Sequence, residues 1–205
     1  TVSRELELTL TGKDCGLSER APMCGIPYHA AETYINRLID KGYKVAICEQ
    51  VEDPKTAKGI VKREVTRVVT PGTNLNMQEL DEGKNNYLMA IVCVGDHFGV
   101  STADITTGDC FLTELDKPQK LLDEINKFTP AEIICNDAFL LSGVDVADLK
   151  GRLGICVFAL DPWYFDDQLC QKTLKEHFHG RKSGSLGIGD YDSGINCFRC
   201  TVPVS

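Results

Sequence analysis

The stretch YLMAIVCVGDHFGVSTADITTGDCFLTEL, residues 87–115, decides the fold of the larger part of the chain. It contains three apolar runs, which Gly-Asp at residues 95–96 and Thr-Gly at residues 107–108 separate. Such punctuation between short runs rich in β-branched and aromatic residues is typical of strands joined by tight turns. The sequence therefore predicts three consecutive antiparallel strands between residues 87 and 115.

Helices alternate with short strands after this stretch. Asp116 and Pro118 begin a predicted helix with one apolar face, and a further helix follows DPWYFDD at residues 161–167. AEIIC at residues 131–135 and ICVFAL at residues 155–160 are predicted strands, with a brief helix between them. The order β-β-β-α-β-α-β-α describes an RNase H-like layout better than a Rossmann one. We therefore predict an α/β fold whose second domain is RNase H-like with a mixed sheet.

The first 73 residues show a separate and smaller pattern. The predicted elements are a half-buried strand, a helix, a buried strand and a second strand, at residues 5–10, 30–41, 43–51 and 60–70. Gly42 is placed to end the helix. This part is predicted to be a small mixed α/β domain. Residues 74–86 are polar and lack any period, which predicts an inter-domain linker.

Charge is distributed unevenly along the chain, whose formal net charge is −8. Residues 1–73 contain 11 Lys/Arg and 10 Asp/Glu, whereas residues 74–205 contain 11 and 20. Within the first part, PKTAKGIVKREVTRVV at residues 54–69 is a basic strip with Glu64 as its single acid. This asymmetry predicts two domains with different partners. An ordinary solvated charged face explains the basic strip equally well from charge alone.

The chain contains ten cysteines, and their positions favour buried, reduced thiols over a disulfide framework or a metal site. Five of them lie within or beside β-like runs, where a small apolar side chain packs well: Cys48, Cys93, Cys110, Cys135 and Cys156. The Cys-x-x-Cys pair Cys197 and Cys200 has no second pair at zinc-ribbon spacing.

No apolar run is long enough for a membrane span. We expect a cytoplasmic protein with no membrane partner.

Candidate catalytic groups are few. The two Gly-Lys pairs are followed by Asp and Asn, so no Walker A motif is present. The RNase H-like layout raises the alternative of a metal-dependent nuclease that uses Asp104 and Asp109, with Glu114 as a third candidate. Against it, the first strand of the opening stretch has no carboxylate in its middle, and Asp104 and Asp109 flank turns. We expect no catalytic residue and no metal site.

Five blocks of sequence occur in an order that is more specific than any single motif. They are SRELELTLTGKD (3–14), APMCGIPYHA (21–30), INRLIDKGYKVAICEQVEDP (35–54), KREVTRVVTPGT (62–73) and ADITTGDCFLTEL (103–115). Together they resemble the front portion of the MutS family of bacterial DNA mismatch-recognition proteins. The resemblance extends over roughly residues 1–195.

The resemblance implies an organisation in four segments. These are a partial mismatch-recognition domain at 1–73, the linker at 74–86, an RNase H-like connector domain at 87–196 and a tail of uncertain structure at 197–205. In the family, the first domain contacts the mispaired base pair from the minor-groove side. The connector transmits the nucleotide state of a distant ATPase and touches MutL. We expect this chain to be a fragment without cofactors or enzymatic activity, while ATP, Mg and dimer or tetramer assembly belong to the full-length family protein.

The resemblance also implies a DNA-binding site. Met23 is expected near the mismatched step, and Lys13 and Arg63 at backbone phosphates. The basic strip adds Lys58 and Lys62 as a phosphate-facing edge. Two prolines stiffen the loop around Met23. Core packing of Met23 is the alternative that side-chain chemistry alone leaves open.

The Phe-x-Glu motif, whose phenylalanine the family inserts beside the mismatch, occurs nowhere in this sequence. We therefore expect weak, salt-sensitive binding of duplex DNA with little preference for a mismatch. The remaining alternative is a pure protein-interaction scaffold, in which the acidic second domain provides the binding surface.

Overall fold

Two separate units make up the chain. The computed structural model describes residues 1–16, 18–57, 59–74, 85–179 and 192–201. The chain divides between Asn74 and Leu75, and each unit contains both helices and strands, as the predicted α/β class requires. Among the helices of the described ranges, none is long and apolar enough to cross a membrane.

The first unit combines short helices with two antiparallel sheets of two strands each. Its helices and strands, in chain order, are α1 (Val2–Glu5), β1 (Thr11–Lys13), β2 (Ala21–Met23), α2 (Ala31–Asp40), β3 (Val45–Gln50) and β4 (Arg63–Val69). Strand β1 pairs with β2, and β3 pairs with β4. Short 3-10 turns at Tyr28–Ala30 and Pro71–Thr73 precede α2 and follow β4.

Helix α2 ends where the sequence predicts. Gly42 has a φ of 79°, a left-handed conformation that a glycine adopts without a Cβ clash. Its N–H donates to the Ile39 carbonyl at 2.7 Å, which satisfies one of the carbonyls at the helix end. Ile39 is buried, so the predicted apolar face of the helix does pack inward.

Two strand predictions for this unit are wrong. Residues 5–10 form no strand, and Leu10, which the alternating pattern placed on a buried face, is 62% exposed. The N–H groups of Leu6 and Leu8 donate to the carbonyls of Val2 and Ser3 in α1, which leaves these N–H groups unavailable to a neighbouring strand. Strand β3 is largely exposed rather than buried, because its sheet has only two strands and little cover.

The second unit is built around one mixed sheet of five strands. Its elements, in chain order, are β5 (Tyr87–Val94), β6 (His97–Asp104), β7 (Cys110–Leu115), α3 (Pro118–Phe128), β8 (Glu132–Cys135), α4 (Asp137–Leu140), α5 (Val146–Leu153), β9 (Cys156–Ala159), α6 (Asp167–His177) and α7 (Asp192–Thr201). The strand order is β7-β6-β5-β8-β9. The first three strands pair antiparallel, whereas β8 is parallel to β5 and β9 is parallel to β8. This is the RNase H-like arrangement that the sequence predicts; α5 was not anticipated.

Strand β5 is covered on both faces. Met89, Ile91 and Cys93 belong to one core, and Leu88, Ala90 and Val92 belong to another. Because successive side chains of a strand point to opposite faces, a continuous apolar run of this kind needs cover on both sides. Helices α3, α4 and α5 contribute buried residues to the first core, and α7 contributes to the second. The unit therefore has three layers, with the sheet in the middle.

Helix α7 crosses the boundary that the sequence places at residue 196. Cys197, Phe198 and Thr201 are 0%, 6% and 3% exposed, so residues 197–201 pack as part of this unit rather than as a separate tail. The sequence hid this helix because its apolar buried residues, Ile195 and Phe198, are few and the residues that face the sheet are small or polar, so no long apolar stripe marks it. Residues 202–205 and most of the predicted linker, residues 75–84, lie outside the described residues.

All ten cysteines lie in the described part of the chain, and all ten are free thiols. Cys93, Cys135 and Cys156 are buried, as predicted. The same prediction is wrong for Cys48 and Cys110, which are exposed. Cys48 lies in the two-stranded sheet, and Cys110 begins the edge strand β7, so neither has the cover that a central strand receives.

Candidate nucleic-acid interface

The segment that the sequence presents as a loop before α2 contains the β1–β2 ribbon. In its register Thr11 lies opposite Met23, and Lys13 lies opposite Ala21. Opposite residues share a face of the ribbon, as do residues two apart on one strand, so Lys13 and Met23 project from the same face. The Thr11 hydroxyl donates to the Met23 carbonyl at 2.9 Å and fixes the backbone at the methionine.

Met23 lies in solvent rather than in a core. Its side chain is 45% exposed, which removes the core-packing alternative. A side chain at Gly25, two residues further on, would meet open space. The chain then enters the 3-10 turn at Pro27, where the Ala30 N–H donates to the Pro27 carbonyl at 3.0 Å. This loop therefore presents an exposed apolar side chain between the ribbon and a hydrogen-bonded turn.

Arg20 lies beside the same ribbon and was not among the predicted residues. Gly12 and Pro22 face each other on the side of the ribbon away from Lys13 and Met23. A Cβ at Gly12 would lie 3.2 Å from the Arg20 Cβ and 3.5 Å from its Nε, so the arginine stem crosses the space that the glycine leaves open. Arg20 was missed because its position depends on the pairing of the two ribbon strands, which no local pattern of the sequence indicates.

Lys62 and Arg63 lie on the other sheet of the unit, where β4 begins. The Lys62 Nζ is 2.5 Å from the Glu64 Oε1, and the Lys62 backbone N–H donates to the Glu52 carboxylate at 3.1 Å. The Arg63 guanidinium donates to the Val61 carbonyl at 3.4 Å. The charge of Lys62 is therefore compensated locally, whereas no carboxylate of the described residues pairs with Arg63.

The structure brings together only part of the predicted set. Lys13 and Met23 share one ribbon face, Lys62 and Arg63 belong to a different sheet, and Lys58 lies outside the described residues. The ion pair of Lys62 is exposed on both sides, and such pairs contribute about 1 kcal/mol or less. A phosphate could replace its carboxylate partner at little cost.

Asp104, the first acid of the nuclease alternative, is 1% exposed and has a structural role. Its Oδ1 accepts hydrogen bonds from the Thr106 hydroxyl at 2.6 Å and from the Thr106 N–H at 2.9 Å. Burial raises the pKa of Asp104, but the hydrogen bonds led by those of Thr106 outweigh burial and hold the pKa below its usual value. The carboxylate therefore stabilises the turn that follows β6.

The other two acids of the nuclease alternative, Asp109 and Glu114, also accept hydrogen bonds within the fold. The Asp109 Oδ2 accepts from the Thr107 hydroxyl at 2.9 Å, within the turn between β6 and β7. The Glu114 Oε1 accepts from the Gly194 N–H at 3.0 Å and so satisfies a free N–H in the first turn of α7. Within the described ranges, no group of three or more His, Cys, Asp or Glu side chains is arranged to hold a metal ion.

Comparison with known proteins assigns each unit. The sequence profile of MutS domain I matches residues 1–78, and that of MutS domain II matches residues 86–197. The chain belongs to the MutS family. The RNase H-like unit corresponds to MutS domain II, and its profile match extends into α7.

Three relatives show how closely this MutS-family chain resembles known members. Each is named DNA mismatch repair protein MutS. The protein of Lachnoclostridium phytofermentans is 63% identical over 194 residues, which are 95% of this chain and 21% of that protein. The protein of Ruminiclostridium cellulolyticum is 50% identical, with 95% of this chain and 22% of that protein covered. The protein of Acetivibrio thermocellus is 49% identical, with 86% and 21% covered. The chain thus spans about a fifth of the length of the curated relatives it matches.

Proposed function

We propose that the first unit of this MutS-family chain contacts mismatched duplex DNA through the ribbon face that holds Lys13 and Met23. The observation that supports this most directly is the exposed Met23 side chain on the same ribbon face as a cation. The relatives named for DNA mismatch repair supply the kind of ligand.

The geometry of the ribbon suits a distorted base-pair step. A mispaired step unstacks at lower cost than a normal one, so an apolar side chain beside it is favoured there. Lys13 lies two residues along the ribbon from Thr11, the partner of Met23. That separation is on the order of 6 to 7 Å, because a strand rises about 3.3 Å per residue. It equals roughly two base-pair steps of about 3.4 Å, which supports a contact between the cation and a phosphate close to the distorted step.

Arg63 and Lys62 are proposed as additional phosphate contacts, and Lys58 remains a proposal from sequence alone. Arg63 has a carbonyl as its hydrogen-bond partner, so its charge is available to a phosphate. Lys62 would exchange the exposed Glu64 carboxylate for a phosphate oxygen. Contacts of this kind position the protein on the duplex and supply affinity without reading sequence.

The test is the binding of short duplexes, with and without one mismatch, at a low and a high salt concentration. We expect weak binding that falls steeply with salt and differs little between the two duplexes, because the chain lacks Phe-x-Glu. Absence of binding at low salt would contradict the DNA contact. Strong discrimination of the mismatch would contradict the role assigned to the missing motif.

For the second unit we propose binding of MutL and the coupling of recognition to a distant ATPase. The match to MutS domain II and the excess of acids in residues 74–205 support a protein-binding role. A pull-down of purified MutL by the intact chain tests it, with an unrelated acidic protein as the control bait. Retention at micromolar concentration is expected. Equal retention by the control bait would contradict a specific contact.

We further propose that this chain has no enzymatic activity and binds no cofactor of its own. The matching profiles are those of MutS domains I and II, and the three acids of the nuclease alternative serve turns and a helix end. ATP, Mg, dimer or tetramer assembly and a cytoplasmic location are proposed for the full-length protein. Magnesium-dependent cleavage of DNA that disappears in Asp104→Asn would support the nuclease instead.

A further inference from the structure

The two faces of the β1–β2 ribbon each have one cation near the same end. Lys13 projects from the face that it shares with Met23. Arg20 directly precedes β2, and its stem packs over Gly12 on the opposite face. The 3.2 Å separation between the Arg20 Cβ and a hypothetical Gly12 Cβ shows that any larger residue at position 12 would compete for this space.

Both cations are available for a ligand. Lys13 and Arg20 are exposed, and no carboxylate in the described part of the chain forms an ion pair with either of them. Two acids lie in the connection between the strands, Asp14 and Glu19. The Asp14 Oδ1 accepts from the Gly16 N–H at 2.9 Å and so stabilises the turn. The ribbon itself therefore has a positive side chain on each face.

We propose that Arg20 contacts the phosphate backbone on the groove wall opposite to the wall that Lys13 contacts, so that the ribbon is held between the two strands of the duplex. This inference rests on the proposed function, since it takes DNA as the ligand. A groove of B-DNA has a phosphate backbone along each side, and a two-stranded ribbon is narrow enough to enter the major groove and, where the duplex is distorted, a widened minor groove. A ribbon with one cation on each face can therefore neutralise a phosphate on each side of the groove.

The expected signature is the number of phosphates neutralised. Each phosphate contact with duplex DNA adds about 0.9 to the slope of log affinity against log salt. Two contacts on separate walls are independent, so removal of both charges lowers the slope by about twice as much as removal of either one. If both cations served one phosphate, the double variant would lower the slope by only about 0.9, because a single phosphate contact would be lost.

The experiment measures this slope for a short mismatched duplex with the intact chain and its variants. Arg20→Met keeps the aliphatic stem over Gly12 and removes the charge, whereas Arg20→Lys keeps a charge. Arg152→Met, in α5 of the other unit, is the matched control, since Arg152 is also exposed. We expect the slope to fall by about 1 in Arg20→Met, by about 2 in the double variant with Lys13→Gln, and to be retained in Arg20→Lys and Arg152→Met.

Three results would be informative in different ways. A wild-type slope in Arg20→Met, together with a reduced slope in Lys13→Gln, would overturn the role of Arg20 and leave the proposed function intact. A loss of only about 1 in the double variant would overturn the two-wall geometry. Absence of salt-dependent binding by the unaltered chain would refute the proposed function itself and this inference with it. The thermal midpoint of each variant shows whether Arg20→Met acts by unfolding the ribbon.

Discussion

The hydroxyl oxygens of Ser101 and Thr201 lie 2.8 Å apart, although one hundred residues separate them in sequence. Thr201 also donates to the Phe198 carbonyl at 3.0 Å, which leaves Ser101 as the donor between the two hydroxyls. One helical turn earlier, the Cys197 thiol donates to the Gly99 carbonyl at 3.0 Å. Small residues of β6 and of α7 thus allow the helix to approach the sheet closely.

Substitution of Gly99 by alanine should therefore disrupt this contact. A Cβ at Gly99 would overlap the Ser193 carbonyl group and would lie 2.7 Å from the Gly194 nitrogen. Overpacking against backbone cannot be relieved by a rotamer change, so we expect a loss of about 1 to 3 kcal/mol in the free energy of unfolding. Urea titration followed by circular dichroism measures it.

Gly151→Ala is the control for that variant. Gly151 lies in α5, and a Cβ there would meet nothing within 4 Å. Replacement of a glycine inside a helix by alanine raises the free energy of unfolding by roughly 0.5 to 1 kcal/mol. The two variants should therefore change stability in opposite directions, and a stability of Gly99→Ala equal to that of the unaltered chain would contradict the close approach of α7.

The position of the domain end can be tested by truncation. A chain that ends at residue 196 lacks Cys197 and Phe198, which are buried in the second unit. We expect it to unfold at lower urea concentration and to bind a hydrophobic dye, because the apolar face of β5 is uncovered. A chain that ends at residue 201 keeps both residues and should behave like the full chain. Equal stability of the two truncated chains would show that residues 197–201 are dispensable.

These two tests concern the part of the fold that the sequence did not reveal. The order of the strands was predictable because β5 is a continuous apolar run and turn residues separate β5, β6 and β7. Helix α7 was not predictable from an apolar stripe, since Gly194 contacts β7 and Cys197 and Thr201 contact β6. Whether these residues form a packed helix depends on which strands lie against them, and only the tertiary structure shows those strands.

Asp104 gives a prediction about pH. Its pKa is lowered in the folded chain, so its carboxylate stabilises the fold above the unfolded-state value of about 3.9 and loses that effect as the pH falls through the folded-state value. Asp104→Asn should lower stability at pH 7 by about 1 to 2 kcal/mol, since hydrogen bonds to a charged acceptor are weakened. The difference from the unaltered chain should narrow below pH 4 or so.

Denaturant titrations at several pH values measure this difference. Asp109→Asn is the control, because the Asp109 carboxylate is exposed and accepts a side-chain hydrogen bond from Thr107 alone among the described residues. At pH 7, Asp109→Asn should lower the free energy of unfolding less than Asp104→Asn does. A difference between Asp104→Asn and the unaltered chain that stays constant from pH 7 to strongly acidic pH would contradict the assigned role of the Asp104 carboxylate.

Thiol reactivity should separate the cysteines by burial. Burial raises the pKa of the Cys135 thiol to about 12, and it also raises the pKa of the fully buried Cys197 well above its ordinary value. Since the thiolate is the nucleophile, both should resist alkylation in the native chain. The exposed Cys15 and Cys48 should react first. Peptide mass spectrometry after brief alkylation measures the order, and early modification of Cys135 would contradict the packing of β8.

The candidate interface was less predictable than the fold. Met23 and Lys13 could be named from resemblance, but their common ribbon face follows from the pairing of Thr11 with Met23, which no local pattern indicates. Arg20 was missed for the same reason, because its position depends on the open space over Gly12. Charge counting identified the basic strip, yet it could not show that Glu64 lies against Lys62.

The most direct test of the central claim is the affinity of a short duplex for Lys13→Glu, measured by fluorescence anisotropy over a range of salt concentrations. Lys172→Glu is the matched control, since Lys172 is an exposed lysine on α6 of the second unit. We predict that Lys13→Glu lowers the salt slope by at least about 1 and weakens binding at low salt, while Lys172→Glu leaves both nearly unchanged. Equal slopes and affinities for the two variants would contradict DNA binding by the ribbon face of Lys13 and Met23.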